Sequence, residues 1–363
     1  MTSALLEGMT RNEIWPGRII DADVHANVGS VDTLMPYLSP IWRQYIRDRG
    51  WSQPAVQQTV YAPGLPISAR PQWKPDDGRK PASDLSLVRE HILEPWDVTA
   101  AVLTCYYGVD SIRHPDFAAA LASAVNDWLI AEWLEKDSRL RASIVVPARY
   151  PDDMAREIDR VGDHPGFVQV NMPVRSDRLY GQRVFHPVFD AMVRHDLVMG
   201  LHWGGITNGA PSPTGWPSYY VEEHAAEMQV YTAQITSLIG EGVFQSFPDL
   251  RVAVMEAGFA FVPIWSWRMD KEWKGLRREI PWLTKSPTSL VREHMRFSIA
   301  PLDLGPLEEL PFLLQWLGSE DLLMFGTDYP HTHDGDLGAF ITALPESMRA
   351  KVMYDSAREW YRI

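Results

Sequence analysis

Cysteine is nearly absent from this sequence: Cys105 is the single one, so no disulfide can close within the chain. That excludes a stapled secreted scaffold and matches the usage of a reducing compartment. Long apolar runs are missing too, and nothing approaches the roughly 18 residues a membrane-spanning helix requires. Met1 to Thr10 holds a short apolar pair but no cationic start leading into an apolar stretch, so a secretory leader is not expected there. The cytoplasm is the expected location. Basic charge is scarce: 34 Lys and Arg stand against 47 Asp and Glu, for a net charge of −13 and no basic run. Such a surface repels phosphate backbones, so neither nucleic acid nor a membrane is an expected partner. A small anionic substrate stays open, because a bound cation reverses the field inside one pocket. Low-complexity segments and internal repeats are also missing.

What is present suits a large enclosed core. The chain has 363 residues, 45% of them hydrophobic, a size that fits one barrel domain spanning 1–363 with insertions. Eight short apolar runs alternate with helical patterns: Arg18–Val24, Thr99–Thr104, Arg139–Val146, Gly166–Asn171, Leu197–His202, Leu250–Glu256, Met295–Ile299 and Leu322–Thr327. Short apolar runs are what strands buried on both faces look like. Helices are expected over Pro115–Lys136, Asp152–Val161, Val188–His195, Glu222–Glu241 and Phe259–Arg277, each supplying the crossover that parallel pairing needs. The expected fold is therefore α/β, a (β/α)8 TIM barrel with loop insertions. The main insertion is Gly50–Ser86, rich in Pro, Gly and Gln and expected to drape near the barrel mouth. A second irregular stretch, Thr207–Tyr220, follows the fifth strand and reads as a pocket rim or lid.

The ends of these strands carry the chemistry. Ile-Ile-Asp-Ala-Asp-Val-His closes the first with Asp21, Asp23 and His25. Residues two apart on a strand share a face, so all three are expected to point into the barrel. Two carboxylates buried beside an imidazole cost several kcal/mol unless a cation offsets their charge. His202 ends the fifth strand and is followed closely by two glycines, which permit close backbone approach to a ligand. Glu256 ends the sixth, and Asp328 the eighth, with His331 and His333 close behind it. Four strand ends converging on Asp, Glu and His point to one metal site at the C-terminal face, where barrel enzymes work. Asp21, His224, His331 and His333 are the side chains expected to support the ligands, His331 being the best placed to join them. Trp203, Trp216, Tyr219 and Tyr220 are expected around the pocket, with Tyr106 and Tyr107 at the same mouth. Trp265, Trp267 and Trp273 read as helix packing or a subunit interface.

The chain resembles the amidohydrolase superfamily, in its amidohydrolase-related branch that includes aminocarboxymuconate semialdehyde decarboxylase-like enzymes. The resemblance rests on Asp-Ala-Asp-Val-His, on Ala-Val-Asn-Asp-Trp-Leu at 124–129 and on Gly-Trp-Pro-Ser-Tyr-Tyr at 215–220. It continues through Phe-Pro-Asp-Leu-Arg-Val at 247–252, Glu-Ala-Gly-Phe at 256–259 and Gly-Thr-Asp-Tyr-Pro-His at 326–331. It implies that Asp23 and His25 occupy the first-strand ligand pair, Asp23 replacing the usual histidine. It also implies that His202 is the fifth-strand ligand and that Asp328 both binds metal and handles a water proton. Glu256 stands where decarboxylase relatives carry a catalytic histidine, as a base or as a bridge between two metals.

The implied cofactor is one or two divalent ions per chain, Zn, Mn or Fe, with the oxygen-rich set favouring Mn, Fe or a two-metal centre. The implied activity is hydrolysis of a small amide, ester, lactone or thioester by a metal-activated water, with Asp328 and Glu256 as catalytic groups. The alternatives are a dinuclear Fe/Mn hydroxylase that activates dioxygen, a metal-dependent decarboxylase, and a non-catalytic metal-binding subunit of a heteromer. A homodimer, or a heteromer with a homologous chain, is expected.

Overall fold

A computed structural model describes residues 11–55, 69–205, 215–333 and 335–363. All eight expected strands form, as β1 (Ile20–His25), β2 (Ala100–Thr104), β3 (Leu140–Val145), β4 (Phe167–Pro173), β5 (Val198–His202), β6 (Val252–Val254), β7 (Met295–Ser298) and β8 (Leu323–Met324). They pair in parallel in chain order. The ring closes through backbone bonds from Ala22 N–H to Phe325 O (2.9 Å), Asp328 N–H to Asp23 O (3.0 Å) and His25 N–H to Tyr329 O (2.8 Å). The fold is a (β/α)8 TIM barrel. Its strands are apolar because both faces are covered, by the interior on one side and by helices on the other.

The expected helices form with informative shifts. Pro115–Leu129 continues through a wider turn at Ile130–Leu134, and Pro151–Val161 and His186–Arg194 each begin on a proline-containing first turn. The run Glu222–Glu241 is not one helix. It divides into Tyr220–Ala225 and Met228–Gly240, because the Ala226 N–H is shared among the carbonyls of Glu222, Glu223 and His224 and the ladder ends there. Helical spacing continues across such a break, so sequence periodicity does not reveal it. Phe261–Leu276 starts later than expected because Gly258, at φ +65°, is left-handed and turns the chain first. Among the described residues, no helix is long and apolar enough to cross a membrane.

The barrel floor is apolar. Ile20, Ala22, Val102, Val198, Ala253 and Met324 pack with Trp360 and Tyr361 of the last helix, Ser356–Tyr361. Trp360 Nε1 donates to Val252 O (3.2 Å) and Tyr361 OH donates to Gln169 Oε1 (2.8 Å), so that helix seals the N-terminal end. The described part of the first insertion lies over the opposite end. Ala69 bridges His331, Arg70 N–H donates to Pro330 O (3.0 Å), and Trp73 packs on Tyr329. Of the expected insertion, 56–68 lie outside the described residues. Thr207–Tyr220 falls largely outside the described residues.

Candidate metal centre

Whether Asp21, Asp23 and His25 share a face depends on the β1 register. Ile20 pairs with Ala100 and Asp21 with Ala101, but Val24 then pairs with Leu103 and His25 with Thr104, so the register shifts between Asp21 and Val24. One extra residue in a strand breaks the two-residue alternation. Ile20 and His25 therefore both face inward, whereas Asp21 lies on the other face. The expectation that all three point into the barrel is corrected accordingly. Asp21 accepts from Thr327 N–H (3.0 Å), Thr327 Oγ1 (2.7 Å) and Asp23 N–H (3.2 Å), clamping β1 to the segment that carries Asp328. Its burial pushes the carboxyl up to about 7 against those three bonds.

The remaining strand-end groups do converge. His25 Nε2 lies 2.9 Å from Asp328 Oδ1 and 3.5 Å from Glu256 Oε1. His331 Nδ1 lies 2.7 Å from the same Asp328 oxygen and 3.4 Å from Glu256 Oε1. On the other side His202 Nε2 stands 3.6 Å from Asp23 Oδ1, and its Nδ1 stands 3.5 Å from Glu256 Oε2. Two overlapping sets result: His25, Glu256, Asp328 and His331 in one, and Asp23, His25 and His202 in the other, with ligand atoms in each set mutually within 4.8 Å. Glu256 and Asp328 both hold left-handed backbone, at φ 55° and 52°, an uncommon state for non-glycine residues that turns their carboxylates into the mouth.

The donor chemistry fits a divalent cation. Among the described residues, both oxygens of Asp23 and Nε2 of His202 are buried without a hydrogen-bond partner. Orphaned groups of this kind cost too much to persist unless something binds them. With Nδ1–H donating to Trp203 O (2.8 Å), the neutral form of His202 would leave Nε2, the atom that faces Asp23, to bind a cation. Electrostatics agree. Burial alone would lower the His202 pKa, but the Glu256 and Asp23 carboxylates raise it to about 10. Burial likewise opposes charge on His331, and Asp328 and Glu256 drive it well above its ordinary value. Burial pushes Glu256 up and Asp328 adds to that, yet His202, His25 and His331 hold it below its usual value. A cage that draws protons onto its imidazoles is a cage short of positive charge.

A protein-family model described as Amidohydrolase matches residues 20–363. The chain belongs to the amidohydrolase family. No curated protein matches significantly. Among solved structures, an amidohydrolase from Mycobacterium avium subsp. paratuberculosis is similar at 19% identity and TM-score 0.69, over 95% of this chain and 98% of that one. A 5-carboxyvanillate decarboxylase from Novosphingobium aromaticivorans, complexed with manganese and a nitrobenzoic acid, is similar at 20% identity and TM-score 0.71 over all of both chains. A dihydroxybenzoic acid decarboxylase from a Polaromonas species, also with manganese, is similar at 18% identity and TM-score 0.65, over 95% and 97%.

Other candidate residues of this amidohydrolase divide by position. His333 Nε2 contacts Asp328 Oδ2 and supports it. His224 stands apart from the ligand sets, half-exposed, with Glu227 at 3.4 Å and its ring against Tyr220 and Trp203. Trp203, directly after His202, is buried. Tyr219 is 70% exposed and Trp216 53%; Tyr219 sits at the start of Tyr220–Ala225, where its own N–H donates to Glu222 Oε2 (2.7 Å). Trp265 packs inward on Thr236, whereas Trp267 meets Trp316 at the surface. The glycines after His202 answer to protein rather than ligand. A Cβ at Gly204 would lie 2.7 Å from the Tyr106 ring, and one at Gly205 only 2.1 Å from Arg175 O.

Sequence reasoning missed several contributors. Ser298 Oγ accepts from Glu256 N–H (3.1 Å), and Tyr231 OH donates to Met255 O (2.5 Å), so β7 and a distant helix fix the Glu256 turn. Arg175, two residues past β4, is buried beside Trp203. Its only sequence signal is an arginine at a barrel strand end.

Proposed function

We propose that this protein is a metal-dependent hydrolase whose carboxylate-rich centre takes two divalent cations. One observation carries the reading: His25 stands in both ligand sets, and Glu256 turns Oε1 to His25 and His331 and Oε2 to the Nδ1 edge of His202, so the two sets adjoin. Asp23, His25 and His202 would hold one ion, and Glu256, Asp328 and His331 the other. Mn, Fe and Zn all suit such nitrogen and oxygen donors, and the manganese of the decarboxylase structures favours Mn. The bound cation supplies Lewis acidity, which polarises a carbonyl and eases deprotonation of water.

The side chains then handle the proton. Asp328 presents Oδ1 to His25 and His331 and Oδ2 to His333. A proton taken by Asp328 at Oδ2 has His333 as its next acceptor, and that imidazole is partly open to solvent while Asp328 is sealed. Glu256, a carboxylate where decarboxylase relatives carry histidine, orients the nucleophile rather than protonating a ring carbon. The substrate class that fits is a small amide, ester, lactone or thioester.

Decarboxylation is the second reading, favoured by the likeness to two manganese decarboxylases over nearly their whole length. One experiment separates the readings. The purified chain is loaded with Mn, Fe or Zn, its metal content measured, and its turnover followed on ester, amide and lactone panels alongside aromatic carboxylates. About two ions per chain are expected, with hydrolysis falling on the order of 10²- to 10⁴-fold in Asp328→Asn and Glu256→Gln. Carbon dioxide release from an aromatic acid without any hydrolysis would overturn the proposal in favour of decarboxylation. Oxygen uptake with a two-iron content would do so in favour of hydroxylation.

A further inference from the structure

Arg175 is the most deeply buried guanidinium beside the candidate centre. It is 3% exposed, its Cζ lies 4.0 Å from the centroid of the Trp203 ring, and its Nη2 meets Glu223 Oε1, itself on a 3% exposed residue. Its position on the rim is fixed by backbone bonds, Val174 N–H to His202 O (2.7 Å) and Arg175 N–H to Gly204 O (3.0 Å). It thus stands one step outward from a metal-ligand candidate, on the same side of the mouth. Tyr106 closes the other side, its hydroxyl accepting from Gly205 N–H (2.5 Å) and donating to Asp110 Oδ1 (3.1 Å).

The pairing with Glu223 is incomplete in a specific way. Among the described residues, Nε and Nη1 of Arg175 are buried with no hydrogen-bond partner. A guanidinium offers a flat oxyanion two forks, Nη1 with Nη2 and Nε with Nη2, and both forks use Nη2. One Glu223 oxygen on Nη2 therefore blocks both forks and completes neither. Two donors remain orphaned at a cost that a two-pronged partner would remove. Glu223 rides on the short helix Tyr220–Ala225, which ends at Ala226 and is separate from Met228–Gly240.

We propose that Arg175 is the specificity-determining receptor for a carboxylate, or a similar planar oxyanion, on the substrate, and that Glu223 is its internal competitor. The incoming carboxylate takes a full fork of Arg175 and displaces Glu223, and Trp203 keeps the guanidinium flat and dry from its other face. The assignment rests on reading this mouth as the active site. It adds to that reading that the substrate is anionic beside the scissile group, and that the helix carrying Glu223 shifts when substrate enters.

The test uses the full chain, metal-loaded and chelator-stripped, titrated with benzoate and with the neutral isostere benzamide, by calorimetry and tryptophan fluorescence. Wild type is expected to bind benzoate saturably. Arg175→Met should lose on the order of tenfold or more in that affinity, and Arg175→Lys, which keeps the charge without the fork, should recover only part. Glu223→Gln should bind benzoate several-fold more tightly, because the competitor has lost its charge. Benzamide binding should move in none of them. Equal benzoate affinity in wild type and Arg175→Met, no saturable binding by wild type, or weaker binding in Glu223→Gln would each overturn the proposal. Metal content is read separately in every variant, so a chain that binds no metal refutes the hydrolase reading while the benzoate series still decides on Arg175.

Discussion

At the scale of single residues, two aspartates two positions apart have opposite duties. Asp23 has both oxygens buried and unpartnered beside His202, whereas Asp21 is fully bonded to Thr327 and to the Asp23 N–H. Asp23→Ala should therefore reduce metal affinity on the order of tenfold or more with little loss of stability, since it removes a donor and a buried charge together. Asp21→Ala should bind metal in unchanged stoichiometry yet lower unfolding stability by about 1–3 kcal/mol, because Thr327 is left with unsatisfied buried donors. Metal analysis and denaturant titration of the pair check this. If Asp21→Ala lost metal and Asp23→Ala kept it, the register reading of β1 would be wrong.

At the scale of elements, the strand ends depend on contacts their own sequence does not announce. Asn126, wholly buried on the helix Pro115–Leu129, donates to Val145 O (2.9 Å) and accepts from Val145 N–H (2.8 Å), acting as a pseudo-strand partner at the end of β3. It also donates to Glu157 Oε1 (2.7 Å) on Pro151–Val161, where Ser123 Oγ reaches Oε2 (2.6 Å). Asn126 thus ties one strand to two helices. Replacing it with leucine of similar size should strand the Val145 backbone pair, while Glu157 keeps Arg160 and Ser123, costing about 2–4 kcal/mol. Thermal or urea unfolding measures it, and a loss below about 0.5 kcal/mol would mean that the network contributes little. The stretch at 124–129 that carries part of the family resemblance therefore has a packing role, not a catalytic one.

At the scale of the whole molecule, pH dependence is set partly at the far end from the candidate centre. Asp137, almost fully buried, accepts from Arg139 Nε (3.0 Å) and Nη2 (2.8 Å) and from Arg89 Nε (2.9 Å). Arg139 is the main reason its carboxyl is held well below the ordinary 3.8. A folded-state pKa below the unfolded one means that the native form binds the proton less readily. Its contribution is complete above about pH 4 and is lost as pH falls toward the depressed value. Asp137→Asn should cost about 1–2 kcal/mol at pH 7, allowing for the partly exposed arginines, and this deficit against wild type should shrink steadily below pH 4. Parallel acid denaturation curves for the two proteins would contradict it.

The sequence by itself determined the barrel and most of the centre. Eight apolar runs interleaved with amphipathic segments leave few ways to bury both faces of a parallel sheet, and each expected strand is found. His25, His202, Glu256 and Asp328 were legible because a charged or imidazole group ending an apolar strand has little to bind except what lies at the mouth. Tertiary structure alone decided what period and composition do not encode: the β1 irregularity that turns Asp21 away, and the break at Ala226 that brings Glu223 to Arg175. It also decided the left-handed backbone that aims Glu256 and Asp328. The physical reason is the same in each case. Alternation and helical spacing record which face of an element is apolar, whereas a shift of one residue, or a contact between groups far apart in the chain, is fixed only when the elements pack against each other.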